Sequence, residues 1–277
     1  MDTLRIPPPL VQAGLDYVPV KNWDFGHNIR DGNELREEFW TRYGGALGTL
    51  DYLNDEWQRY RDNDNHCFNA DSLSLVARAP TDTLAVGKIE SGMIRSKASF
   101  LYGYIEGRFR MPKGRGMWPA FWFIPASLHW PPEIDIFEVV NNGRDTTRNS
   151  FHGIRNPDVE TMGTSAGALA VVTYKESIVL QSKVDQWASY RPAFDYSEGF
   201  HTFGLLWTSY SASWFVDNVL VREVDVDWRD KRGNPAGPAQ IIANLAVGGA
   251  WPEPPNNLAD FPARLDIDYI RVWQPRK

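Results

Sequence analysis

Glu133-Ile134-Asp135-Ile136-Phe137-Glu138 puts three carboxylates into a segment whose other members are apolar. Ile134, Ile136 and Phe137, with Val139 and Val140 behind them, are residues of a buried strand rather than a solvated edge. Crowding like charges into such a segment costs stability, so the grouping points to chemistry. A pair of carboxyl groups, one ionised and one protonated, is the equipment for cleaving a glycosidic bond. One attacks the anomeric carbon and the other protonates the leaving oxygen.

The spacing makes a structural demand. With a period of two, Glu133 and Asp135 share a face of the strand and Glu138 falls out of phase. One β-bulge after Asp135 brings all three to the same side. Glu133 and Glu138 can then approach the ~5–5.5 Å separation of retaining glycosidases, where an inverting enzyme needs a wider gap that admits water. Asp135, between them, is placed to hydrogen-bond the nucleophile and tune both partners.

The rest of the chain must hold this strand. Short runs rich in β-branched and aromatic residues occur at 73–77, 102–110, 118–124, 134–140, 170–174, 200–208, 212–216, 241–247 and 265–272. Turn-forming groups separate them, among them Pro112-Lys113-Gly114, Asp217-Asn218 and Gly248-Gly249. Many strands with few helices predict an all-β sandwich or barrel. One helix is expected within 31–42, capped by Asn33. Residues 1–20, with Pro7-Pro8-Pro9, read as an arm laid over a single domain at 21–277. On the alternating run 102–110, Glu106 and Arg108 are expected to form an ion pair.

Composition narrows the function classes. The 277 residues are 43% hydrophobic and 23% charged, values of a folded globular chain. A net charge of −6 argues against a nucleic-acid partner. No apolar run approaches the roughly 18 residues of a membrane helix. Cys67 is the single cysteine, so no internal disulfide forms. The first nine residues lack the apolar core of a secretory signal, although the expected polysaccharide substrate places the work outside the cell. A monomer is expected. Twelve tryptophans are the outlying count, and sugars are the commonest ligands for flat apolar faces.

Beyond the acidic motif, four further stretches in the same order resemble glycoside hydrolase family 16. They are Tyr102-Gly103-Tyr104-Ile105-Glu106-Gly107-Arg108 with Gly116-Met117-Trp118-Pro119-Ala120-Phe121-Trp122, then Phe200-His201-Thr202-Phe203-Gly204 with Trp214-Phe215-Val216-Asp217, then Asn244-Leu245-Ala246-Val247-Gly248-Gly249, and Asp268-Tyr269-Ile270-Arg271-Val272-Trp273. The resemblance implies a β-jelly-roll of two curved antiparallel sheets, of the concanavalin A-like lectin/glucanase type, with a substrate cleft on the concave face. It implies Glu133 as nucleophile, Asp135 as its assistant and Glu138 as general acid/base. The bulged motif is shared with the laminarinase, agarase and carrageenan-degrading branches, and other segments are similar to those of depolymerases of bacterial exopolysaccharides. A retaining endo-β-glycosidase acting on a β-1,3-linked glucan is the leading expectation. A depolymerase of an exopolysaccharide or an agarose-like galactan, and a sugar-binding jelly-roll without turnover, are the alternatives.

Candidate sugar contacts are Trp118, Trp130, His152, Asn54, Asn244 and Trp251. Trp118 and Trp122, four apart in one strand, share a face, with Trp122 the one expected to fill the core. Arg95, Arg108, Arg148 and Arg155 are the cations available to a charged substrate, whereas Trp207, Trp214 and Trp273 fall in framework strands. By resemblance, Asp24 and Asp268 are candidate ligands of a structural Ca2+; the chemistry itself requires no cofactor.

Overall fold

Apolar residues recurring at alternate positions give this chain surfaces that only a second sheet can cover. The computed structural model describes residues 4–42, 53–128, 132–140, 170–175, 185–190, 194–230 and 232–277, with the backbone alone at 170–175 and 185–190. The strands are β1 Tyr17–Asp24, β2 Phe39–Trp40, β3 Gln58–Tyr60, β4 His66–Phe68, β5 Leu73–Ala77, β6 Ile89–Ser91, β7 Met93–Ser96, β8 Gly103–Arg110 and β9 Met117–Pro125. They continue as β10 Glu133–Val139, β11 Ala170–Lys175, β12 Asp185–Tyr190, β13 His201–Trp207, β14 Ser211–Val216, β15 Val219–Asp225, β16 Ala239–Val247 and β17 Ala263–Pro275.

Two antiparallel sheets result, the sandwich of a jelly-roll. One runs β15-β14-β13-β8-β17-β5-β4, with β1 also paired to β17. The other runs β12-β11-β10-β9-β16-β7-β2 and carries the acidic motif near its middle. A small parallel pair, β3 with β6, stands apart. All nine expected strands are present, with ends within three residues of the expected ones. Those not expected are mostly very short, and β1 is interrupted by Pro19, where its register with β17 shifts.

Between the sheets lies one core. Phe109 and Phe203 of the first sheet meet Phe121 and Phe137 of the second, with Phe137 and Phe203 centroids 4.6 Å apart. Each such side chain contributes about 1.5–3 kcal/mol by leaving water. Trp207, Trp214 and Trp273 are all buried, as expected of framework residues.

Two local expectations, the Asn33 cap and the Glu106–Arg108 pair, are corrected. Residue 20 falls inside β1, and the segment before that strand packs on the domain. A short helix, Pro8–Gln12, buries Leu10 against Tyr17, Tyr104, Phe215 and Trp273. The helix in 31–42 spans Gly32–Glu38, and its cap is Asp31, whose carboxylate accepts from the Asn33 and Glu34 amides. Asp31 holds the extended conformation a capping residue needs. Glu106 does not pair with Arg108. The Tyr104 and Tyr269 hydroxyls donate to Glu106 at 3.0 and 2.8 Å, and Arg108 pairs with Asp268. Burial pushes the Glu106 carboxyl above its ordinary value.

Candidate active site

The register of β10 against β9 contains the bulge the spacing demands. Asp135 lies opposite Trp122 and Glu138 opposite Ala120, so two residues of β10, Ile136 and Phe137, stand against one of β9, Phe121. The same irregularity separates Asp135 from Glu138 in the pairing with β11. Trp122 and Ala120 share a face of β9, and therefore Asp135 and Glu138 share one too. Glu133, two before Asp135, joins them. Ile134, Ile136, Phe137 and Val139 go into the core. Asp135 is buried, whereas Glu133 and Glu138 are half-buried at the surface of this face.

β9 lines the site with its even-numbered residues. Trp118 Nε1 donates to Glu138 Oε1 at 3.2 Å, and the Trp118 ring meets Trp251 edge-on, with centroids 5.3 Å apart. Trp122 Nε1 donates to Asn244 Oδ1 at 2.7 Å, and Asn244 Nδ2 donates to the Tyr60 hydroxyl at 2.9 Å. Beside them Tyr60, Met93, Ile124 and Ile242 form a second apolar cluster on the face away from the core.

The wall near Glu138 is two loops stapled together. The Trp57 amide donates to the Val247 carbonyl, and the Val247 amide to Gln58 Oε1, each at 2.7 Å. Gln58 Nε2 donates in turn to the buried Glu56. The Asn54 carbonyl accepts from the Ala250 amide at 3.1 Å. Gly249 permits this approach, because at its φ of +116° a Cβ would lie 2.8 Å from the Asn54 oxygen.

The expected contacts thus divide. Trp118, Asn244 and Trp251 gather around the carboxylates. Asn54 reaches the site through its backbone, while its exposed side chain donates to Glu56 at 3.4 Å. Trp130 and His152 lie outside the described residues, as do Arg148 and Arg155. Arg95 stands on the active face opposite Ile242, whereas Arg108 is on the other sheet. Trp122 is the residue the sequence reading undervalued. Its parity with Trp118 was the available signal, because the face it shares is the carboxylate face.

A structural Ca2+ does not fit Asp24 and Asp268 as they stand. Asp24 accepts from Arg271 at 3.0 Å and pairs with His27 at 2.8 Å, and Asp268 pairs with Arg108. Two guanidinium groups already neutralise these carboxylates, and among the described residues no group of three His, Cys, Asp or Glu side chains is placed to hold a metal ion.

The chain matches the model of glycosyl hydrolases family 16 over residues 54–156 and 155–271. It is 30% identical over 231 residues to endo-1,3-1,4-beta-glycanase ExsH of Rhizobium meliloti, covering 80% of this chain and 42% of that protein. It is 32% identical over 203 residues to a beta-glucanase of Rhodothermus marinus, covering 65% of this chain and 60% of that one. The chain thus spans less than two thirds of the length of these relatives. The catalytic domain of an endo-1,3-beta-glucanase (laminarinase) from Thermotoga petrophila superposes with a TM-score of 0.71 at 27% identity, covering 95% of this chain and all of that one. A bulged strand with three carboxylates on one face, in a sandwich that follows the family pattern over most of its length, has one consistent classification: the chain belongs to glycosyl hydrolase family 16.

Proposed function

We propose that the chain cleaves β-glucan chains internally, most readily at β-1,3-linkages, with retention of anomeric configuration. The bulge in β10 carries this reading, because it puts two glutamates and an aspartate on one face beside Trp118 and Trp122. Glu133 attacks the anomeric carbon while Glu138 gives its proton to the departing glycosidic oxygen, leaving a glycosyl ester on Glu133. Glu138, now a carboxylate, takes a proton from water as that water breaks the ester and restores Glu133. Asp135 holds Glu133 in its attacking orientation. The indole of Trp118 can only donate, so it favours the carboxylate that Glu138 becomes in the first step.

The activities of the relatives, a 1,3-1,4-beta-glycanase and a beta-glucanase, support a glucan substrate, and a polymer that cannot cross a membrane supports work outside the cytoplasm. The test is release of new reducing ends from a panel of β-1,3-, mixed-linkage and galactan polymers, with proton NMR of the first product formed. A β-glucan is expected to be cut with the β-anomer appearing first, and Glu133→Gln to abolish cutting. Preference for a galactan would replace the substrate, an inverted first product would remove the double displacement, and full activity in Glu133→Gln would remove the mechanism.

A further inference from the structure

The pairing of β9 with β16 ends on Met117 opposite Val247, so the loops beyond these residues leave the sheet side by side. The Gly248 amide donates to the Gly116 carbonyl at 2.7 Å, and the Arg115 amide to the Asp260 carboxylate. Gly116, at a φ of +83°, lets the two loops touch, because a Cβ there would lie 2.7 Å from the Pro255 nitrogen. Across this contact the Arg115 guanidinium pairs with the Glu253 carboxylate.

Stability does not account for that pair. Both side chains are partly exposed, and an ion pair so open to water adds little to the folded state. Glu253 meanwhile holds a φ of +62°, a left-handed conformation that costs a residue with a Cβ more free energy than such a pair supplies. Strain of this kind persists where the surrounding structure imposes the geometry, and it clusters at active sites. The acid/base is close by. Glu253 is two residues from Trp251, in the stiff run Trp251-Pro252-Glu253-Pro254-Pro255, with Pro252 and Pro255 buried. The Trp251 ring meets Trp118 edge-on, and Trp118 Nε1 donates to Glu138.

We propose that Arg115 and Glu253 are positioning residues: their ion pair fixes the Trp251 segment, and through it the Trp118 indole that donates to Glu138. The proposal rests on the glycosidase reading. Without the pair Trp251 no longer braces Trp118, and the hydrogen bond that favours the Glu138 carboxylate weakens. Glu138 then keeps its proton to higher pH. The carboxylate it becomes when the leaving oxygen takes that proton is also less stabilised.

The experiment compares wild type, Arg115→Ala, Glu253→Ala and Arg115→Lys, each with and without Trp118→Phe. The readouts are kinetics on a soluble β-1,3-glucan and NMR titration of isotope-labelled glutamate carboxyls, with Glu138→Gln assigning the signal. Either alanine variant is expected to lower kcat roughly three- to tenfold at unchanged KM and to move the Glu138 titration upward. Arg115→Lys recovers most of the loss, and in the Trp118→Phe background neither alanine adds to it. The sign of the shift separates a brace from a field. Removing a cation raises a neighbouring carboxyl and removing an anion lowers it, whereas a released brace raises it in both variants. Glu133, Asp135 and Glu56, which share this side, are the same in every variant. Opposite shifts in the two alanine variants, losses fully additive with Trp118→Phe, or an unchanged kcat would overturn the proposal and leave the glycosidase reading intact. If wild type cuts no glucan, that reading fails instead. The titration alone then decides the positioning: upward shifts in both alanine variants sustain it, and opposite or absent shifts overturn it.

Discussion

The indole nitrogen of Trp214, on β14 of one sheet, donates a 3.0 Å hydrogen bond across the core to the backbone carbonyl of Asp135 on β10 of the other. Asp135 is the last residue in register before the bulge, where the strand ladder skips a partner. The opposing sheet thus ties down the backbone at the place where the three carboxylates are brought into phase. A bulge leaves backbone groups without ladder partners, and a buried carbonyl left unpaired costs about 1–3 kcal/mol.

Trp214→Phe keeps an aromatic ring in the core and removes the donor. The expected result is a loss of about 1–3 kcal/mol in stability together with a fall in kcat, as the bulge relaxes. Trp207→Phe is the control, because Trp207 is equally buried and its Nε1 has no hydrogen-bond partner among the described residues. Chemical denaturation and kcat measured on both variants decide the matter. Equal kcat in the two would show that Trp214 only fills space.

Trp118→Phe preserves a ring against Trp251 and deletes the hydrogen bond to Glu138. Hydrogen bonds to charged groups are worth about 1.5–3 kcal/mol, so kcat is expected to fall roughly tenfold or more with little change in KM. Steady-state kinetics on a soluble glucan measure it. An unchanged kcat would detach Trp118 from the proton transfer.

Asn244 joins Trp122 to Tyr60, and its replacement strands both. Asn244→Leu is expected to cost about 1–3 kcal/mol and to raise KM as Trp122 loses its orientation. Tyr60→Phe removes only one end of the chain and should cost less. The double variant is expected to be less destabilised than the sum of the two, a coupling that urea titrations of all four proteins would read. Strict additivity would mean that the three side chains do not act as a unit.

Glu106, buried between two tyrosines, titrates above its ordinary value chiefly because burial disfavours its charge. A carboxyl raised in the folded state binds more protons there than in the unfolded chain across the interval between the two values. Stability therefore falls as pH rises through that interval and is level above it. Glu106→Gln removes this slope: the variant matches the wild-type trend below the interval and gains on it above. Melting temperatures from about pH 4 to about pH 8 test this, starting below the ordinary glutamate value. Parallel curves for the two proteins would refute it. Activity is expected to be unaffected, since Glu106 lies on the other sheet.

The sequence by itself determined the bulge and the face. Glu133, Asp135 and Glu138 among apolar neighbours admit no regular strand that keeps all three out of the core, so one extra residue after Asp135 was required. The long framework strands were legible for the same reason, since alternation is a local property of the chain. What the spacing left open was decided by contacts between residues far apart in sequence. Nothing local to Trp122 distinguishes a core filler from a site residue until Asn244 and Tyr60 are beside it. Glu106 and Arg108 make an attractive local pair, but β17 brings Tyr269 to one and Asp268 to the other. Asp24 and Asp268 have the chemistry of cation ligands, and only the packing of β1 against β17 supplies the arginine that occupies Asp24. Arg115 and Glu253, 138 positions apart, carry no signal that joins them. They meet because strand pairing sets β9 beside β16 and brings their flanking loops together, which a one-dimensional pattern does not contain.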